Sequence, residues 1–256
     1  MKDLRDIYAE KAVSQIPRLL TCLDRNPYSP TYGCFHRDYW LYKTSDFPDA
    51  VRQFGVHALA LVYRHDIPGN IYKEHPKMKG WIIAAMLFWT KIQHKEGSFD
   101  EFYPYERGWV GPTAFTMYTI AESYMLMEPE LSPEQKEIIL SAIRKAARFI
   151  LKGESEEDHL ANHHAMACLA VWKAFEATGD GEFQTGFGKV WNTFLSYHNN
   201  EEGWSREYDG ADPGYLSATV SFLGKVYKTN KRDDIFRVLE QSVRFSSYFA
   251  YPNGFY

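Results

Sequence analysis

Apolar residues recur along this chain at spacings of three and four, and no stretch alternates strictly between apolar and polar over a strand's length. That period predicts helices at roughly 3–23, 47–65, 77–94, 112–127, 132–151, 162–177, 183–198, 214–228 and 232–250. Punctuation supports several boundaries. Ser132-Pro133-Glu134 offers an N-cap followed by a proline at the first helical position, and Thr178-Gly179-Asp180-Gly181 ends the helix before it. No Pro- or Ser-rich linker interrupts the pattern, so residues 1–256 read as one all-α domain.

The connections alternate in length. Those at 128–131 and 178–181 are tight, whereas those at 24–46, 95–111 and 199–213 are long and rich in Gly, Tyr, Asp and Arg. Two of the long loops share a signature, Glu96-Gly97-Ser98-Phe99-Asp100-Glu101-Phe102-Tyr103 and Glu202-Gly203-Trp204-Ser205-Arg206-Glu207-Tyr208. A third copy begins at Asn253-Gly254-Phe255-Tyr256. The glycines lie 106 and 51 positions apart, and a loop near Gly153 divides the longer gap into 56 and 50. One helical hairpin plus its loop fills such a step. The pattern predicts an incomplete (α/α)n toroid of hairpins with the long loops gathered at one mouth, where a functional site is expected. The third copy stops mid-loop, so the chain is expected to end before its array does. Phe245, Tyr248, Phe249 and Tyr251 would then leave an aromatic seam at the C-terminal hairpin through which a homodimer could form.

Composition narrows the functional classes. Twenty-nine basic against 33 acidic residues give a net charge of −4, with no polybasic run, which argues against nucleic acid. No apolar run approaches membrane-spanning length and no signal-peptide stretch opens the chain, so a cytoplasmic location is expected. Cys22, Cys34 and Cys168 are widely spaced and odd in number, which predicts free thiols and no structural zinc. No cofactor is expected within these residues. Aromatic side chains make up 16% of the chain, and Trp40, Tyr103, Tyr105, Trp109, Trp204, Tyr208 and Tyr215 fall in or beside the long loops. Rings with polar edges there pack the rim or stack on sugar faces.

Asn162-His163-His164 opens one helix. Asn is a preferred N-cap, and imidazoles in a first turn are held neutral by the positive helix end, ready to accept a proton or donate a hydrogen bond. A capping Asn162 beside a packed histidine is the plain alternative. About one hairpin later stands Tyr215, whose phenol would need a cation such as Arg206 or Arg107 to lower its pKa for proton abstraction.

Asn162-His163, Tyr215 and the opening blocks Asp24-Arg25-Asn26-Pro27-Tyr28, Phe35-His36-Arg37-Asp38-Tyr39-Trp40 and Asp46-Phe47-Pro48-Asp49-Ala50 resemble the toroid domain of heparinase II/III-like proteins. The resemblance spans most of the chain. It implies a polysaccharide lyase acting by β-elimination on a uronic-acid glycan, with Asn162 and His163 neutralising the uronate carboxylate, Tyr215 as general acid or base, and Arg206 in support. His164, Tyr208, Trp204, Tyr105, Arg107, Trp109, His36 and Trp40 would line the substrate path. The family usually continues into β-sandwich domains that add a histidine and in several members a metal site. This sequence has no such region, so a metal is expected only beyond it, and activity of these residues alone is in question. Two other readings stay open. One is a non-catalytic glycan-binding or assembly domain. The other is a glycoside hydrolase pairing Asp100 or Glu101 with Asp209 or Asp212. Asp233-Asp234 reads as ordinary helix-start acidity, and His36-Arg37-Asp38 as either an anionic-sugar contact or a loop salt bridge.

Overall fold

The computed structural model describes residues 3–103, 105–153 and 160–253. The third copy of the loop signature, past Asn253, and the loop following Gly153 lie outside these residues. The fold is all-α, with helices α1 (Leu4–Leu20), α2 (Gly55–Arg64), α3 (Pro76–Ile92), α4 (Val110–Met127), α5 (Pro133–Gly153), α6 (Ala161–Thr178), α7 (Gly181–Ser196), α8 (Pro213–Tyr227) and α9 (Asp233–Ser247). Each matches an expected helix to within a few residues, except that α2 is preceded by a separate 3-10 turn, Ala50–Phe54, within the single helix expected at 47–65. The chain forms two compact units, Met1–Ala146 and Ala147–Tyr256, dividing within α5.

Local chemistry explains the boundaries. The Ser132 hydroxyl accepts from the Gln135 N–H while Gln135 Oε1 accepts from the Ser132 N–H, a reciprocal cap that starts α5. Gly179, at φ +72°, ends α6 in the left-handed conformation. Asp212 caps α8 by accepting the Tyr215 N–H.

The helices fall into two kinds. In α4, 14 of 18 residues are buried, and in α6, 12 of 18, with small and hydroxylated side chains filling faces that a solvent-facing helix would leave polar. By contrast α9 buries only Ile235, Val238 and Ser242, one apolar stripe on an otherwise charged helix. Contacts follow this division: in the first unit α2 packs on α4, and in the second α6 packs on both α7 and α8 while α8 packs on α9. Helices surrounded by others must therefore be apolar or satisfied on every side. Thr113, Thr116, Thr119 and Ser123 in α4 achieve this by donating their hydroxyls to carbonyls one turn back. The C-terminal helix and the residues after it expose Phe236, Val243, Tyr248, Phe249 and Tyr251.

The long loops are pinned at their bases by a repeated device. Gly33, Gly97 and Gly203 have φ of +94°, +108° and +87°, and a Cβ on them would stand 2.2, 2.3 and 2.5 Å from the carbonyl oxygens of Ala84, Lys145 and Gln241. Only glycine permits both the left-handed turn and that approach. A glutamine amide locks each seat. Gln53 Nε2 donates to the carbonyls of Gly33 and Ala85, Gln93 Nε2 to those of Gly97 and Ala142, and Gln241 Nε2 to that of Asn200. Beyond the glycines, the loops at 95–111 and 199–213 carry short antiparallel hairpins, β1 (Phe99–Glu101) with β2 (Glu106–Trp109) and β3 (Arg206–Glu207) with β4 (Gly210–Ala211). Strands of two to four residues are too short to register as alternation.

Candidate active site

In the second unit the loop 199–213 meets the start of α6. Glu207 forms an isolated bridge with Leu160 and is buried, 3% exposed. Its Oε1 accepts the Asn162 backbone N–H at 2.6 Å and its Oε2 accepts the Asn162 side-chain amide at 2.8 Å. The expected Asn162 cap is thereby corrected: α6 begins at Ala161 after Leu160, which makes no side-chain cap bond, and Asn162 sits one residue too far in to cap. A carboxylate from another segment satisfies the helix start instead, where a negative charge is favoured. Burial still raises the Glu207 pKa, opposed by the two Asn162 hydrogen bonds and by nearby His163.

His163 is half-buried in the same first turn, its backbone N–H bonded to the Leu160 carbonyl. His164 is fully buried against the Tyr197 ring, centroids 4.3 Å apart, which places it in the packed interior and not along a substrate path. Tyr215 starts α8 and is 41% exposed, edge-on to the exposed Tyr208 with ring centroids 6.2 Å apart. Its pKa is raised: hydrogen bonding to Tyr208 and the Tyr208 charge come first, then burial, Asp212 and Glu207. The expected lowering by Arg206 or Arg107 is therefore overturned. The Arg206 guanidinium lies over the Tyr197 ring, 4.7 Å from its centroid, and Arg107 is bound to Asp100 in the other unit. Trp204 is half-buried with its indole N–H bonded to Glu202.

The remaining expected site residues belong to the first unit. His36 is 2% exposed, its Nδ1 accepts the Asp49 N–H at 2.9 Å, and burial lowers its pKa, so it is a neutral framework residue out of a ligand's reach. Trp40 likewise ties the loop to the end of α1 through its indole N–H to the Cys22 carbonyl at 2.7 Å. Tyr105 and Trp109 are exposed, Tyr105 bonding to Asp46 and standing edge-on to Phe47. Asp100 forms an ion pair with Arg107 Nε at 2.9 Å, accepts from the Gly108 N–H at 2.8 Å, and pairs with His94 Nε2 at 2.8 Å. With Asp100 ion-paired to Arg107 and Asp212 capping α8, the pairing of these two carboxylates as a hydrolase's acid and base gains no support.

The structure bonds Asn162 to one residue that sequence reasoning missed, Glu207, which holds both its backbone N–H and its amide. Its signal was present in the repeated loop signature, where an acid follows Ser98 by two positions and Ser205 by two positions. Among the described residues, no group of three or more His, Cys, Asp or Glu is placed to hold a metal ion, and Cys22, Cys34 and Cys168 are free thiols. No described helix is long and apolar enough to cross a membrane.

No family model and no curated protein matches the chain. Among solved structures it is similar to "Polysaccharide Lyase BACCELL_00875", with a TM-score of 0.57 and 13% identity over 98% of this chain. That similarity covers 36% of the other chain, so the present chain spans about a third of its length. At that identity the likeness is one of fold: the chain has a polysaccharide lyase-like all-α fold.

Proposed function

We propose that this chain carries the α-helical half of a lyase site for an acidic polysaccharide, of the heparinase II/III-like kind, working by β-elimination on a uronic acid. The observation that supports it best is the Glu207 clamp on Asn162, beside His163 and within electrostatic reach of Tyr215. One amide hydrogen of Asn162 is taken by Glu207, which fixes the plane of the group and leaves its second hydrogen to donate to a carboxylate. With His163 it would stabilise the enolate-like charge that develops when the proton leaves C5. The C5–H electrons form the C4=C5 double bond, the C4–O4 bond breaks, and O4 takes a proton. Tyr215 rests as the neutral phenol, the form that donates to O4. It can take the C5 proton only after losing its own, which places the productive range on the alkaline side.

A second reading is favoured by one fact: Asn162 is only 3% exposed. In that reading the Asn162–Glu207 pair is a structural lock in a non-catalytic glycan-binding domain.

The two separate on assay of uronans, including alginate and heparan, by the ultraviolet absorbance of the unsaturated product. Elimination predicts product whose rate climbs with pH toward the phenol's raised pKa. Tyr215→Phe should lower the rate by roughly 10²–10⁴-fold with binding retained. Binding without product on any uronan establishes the second reading.

A further inference from the structure

The first unit contains a separate cleft of about 450 Å³ between the segment around residues 30–48, the end of α3 and the β1–β2 hairpin. Its charge is one-sided. Lys43, Lys91, His94 and Arg107 line it, and Asp100 is the one carboxylate among its lining residues. Elsewhere cations sit beside acids, as in Arg148–Glu182, Arg64–Glu130, Lys136–Glu128 and Arg232–Asp234. A chain of net charge −4 that concentrates three permanent cations around one carboxylate has built a local exception.

The cations are also placed. Arg107 lies over Phe47, its Cζ 4.1 Å from the ring centroid, and Nε is ion-paired with Asp100. The Phe47 ring and the Asp100 carboxylate together orient the planar guanidinium before any ligand arrives. Lys43 is held at φ +58° directly after the π-turn Asp38–Tyr42, with Nζ 5.8 Å from the Tyr39 ring centroid. Lys91 Nζ donates to the Pro30 carbonyl at 2.7 Å. An oriented guanidinium, two lysines and the half-buried Tyr39 ring suit a small planar anion carried on a ring with an apolar face.

We infer that this cleft binds the carboxylate of a uronate residue, giving the first unit an acidic-sugar subsite of its own. The inference takes its ligand class from the acidic-glycan reading above, but it rests on residues of the first unit alone. It is tested by titrating D-glucuronate, with D-glucose and inorganic sulfate as controls, into the full chain while following the side-chain N–H resonance of Arg107 by NMR. Glucuronate should shift that resonance and glucose should not. Arg107→Lys should weaken binding roughly tenfold, because the bidentate fork is lost. Lys43→Ala and Lys91→Ala should each weaken it about threefold, with unchanged circular dichroism. A silent Arg107 resonance, equal response to glucose, or sulfate binding as tightly as glucuronate would overturn the subsite. Loss of lyase activity with glucuronate binding intact rejects elimination and leaves the subsite standing. Product formation with binding indifferent to all three variants does the reverse.

Discussion

The loops at 95–111 and 199–213 are built on one plan and hold opposite kinds of polar centre. Each seats a glycine beneath a helix carbonyl, at Lys145 and at Gln241, buries a serine just after it, and turns back in a short hairpin. From the first, Asp100 projects to Arg107 and His94, both partly exposed. From the second, Glu207 is buried on a helix start and meets a backbone N–H and an amide. The acid, two residues beyond the serine in both, thus meets partly exposed Arg107 and His94 side chains in one loop and a buried amide and backbone N–H in the other. The frame sets where the carboxylate emerges, and the neighbouring helix decides what it is for.

The frame itself should be the most sensitive part. Gly97→Ala and Gly203→Ala each force a Cβ against backbone in a left-handed turn and should cost about 3–4 kcal/mol. Gly179→Ala, with the same sign of φ but open space around it, should cost only about 1 kcal/mol. Urea denaturation of the three variants measures the difference. Equal losses at 97, 203 and 179 would break the idea of a shared seat.

The two carboxylates come next. Glu207→Ala strands a buried N–H and a buried amide and should destabilise by about 2–3 kcal/mol, less whatever is regained by no longer burying the acid. Asp100→Ala leaves a guanidinium and an imidazole that water can reach, and should cost about 1 kcal/mol or less. A larger loss at Asp100 than at Glu207 would reverse this contrast.

The smallest effect is a slope. Burial raises the Glu207 pKa above its unfolded value, so between the two the native state holds more protons and stability falls as pH rises through that window. His36 and His198 act in the other sense. Their pKa values are lowered by burial, so stability falls as pH drops below about 6.5, where the unfolded imidazoles take up protons that the native ones refuse. Glu207→Gln should remove the first slope and leave the second, read as the wild-type minus variant difference in denaturation midpoint across acidic to neutral pH.

How far the sequence could be read follows from the range of the forces involved. The helices of the described residues rest on local periodicity and punctuation, as at Ser132-Pro133 and Gly179, and they were legible. The seats of Gly33, Gly97 and Gly203 depend on carbonyls 51, 48 and 38 residues onward, so only the repetition of two glycines showed. That Asn162 is the partner of Glu207 was not legible, because an acid in a polar loop looks solvated until the fold buries it. The phenol's environment was misjudged for the same reason. Arg206 is near Tyr215 in sequence, yet its guanidinium stacks on Tyr197, and a second phenol stands beside Tyr215 instead.

Tyr105 and Tyr208 hold φ of +81° and +54° at the turns of the two hairpins, a conformation glycine adopts freely and a bulky side chain resists. A search for greater thermal stability would therefore exchange them for glycine first. Each exchange would relax the backbone and strip an exposed ring from a hairpin tip. A variant library screened by melting temperature alone would therefore drift toward well-folded proteins whose hairpin tips have lost their rings.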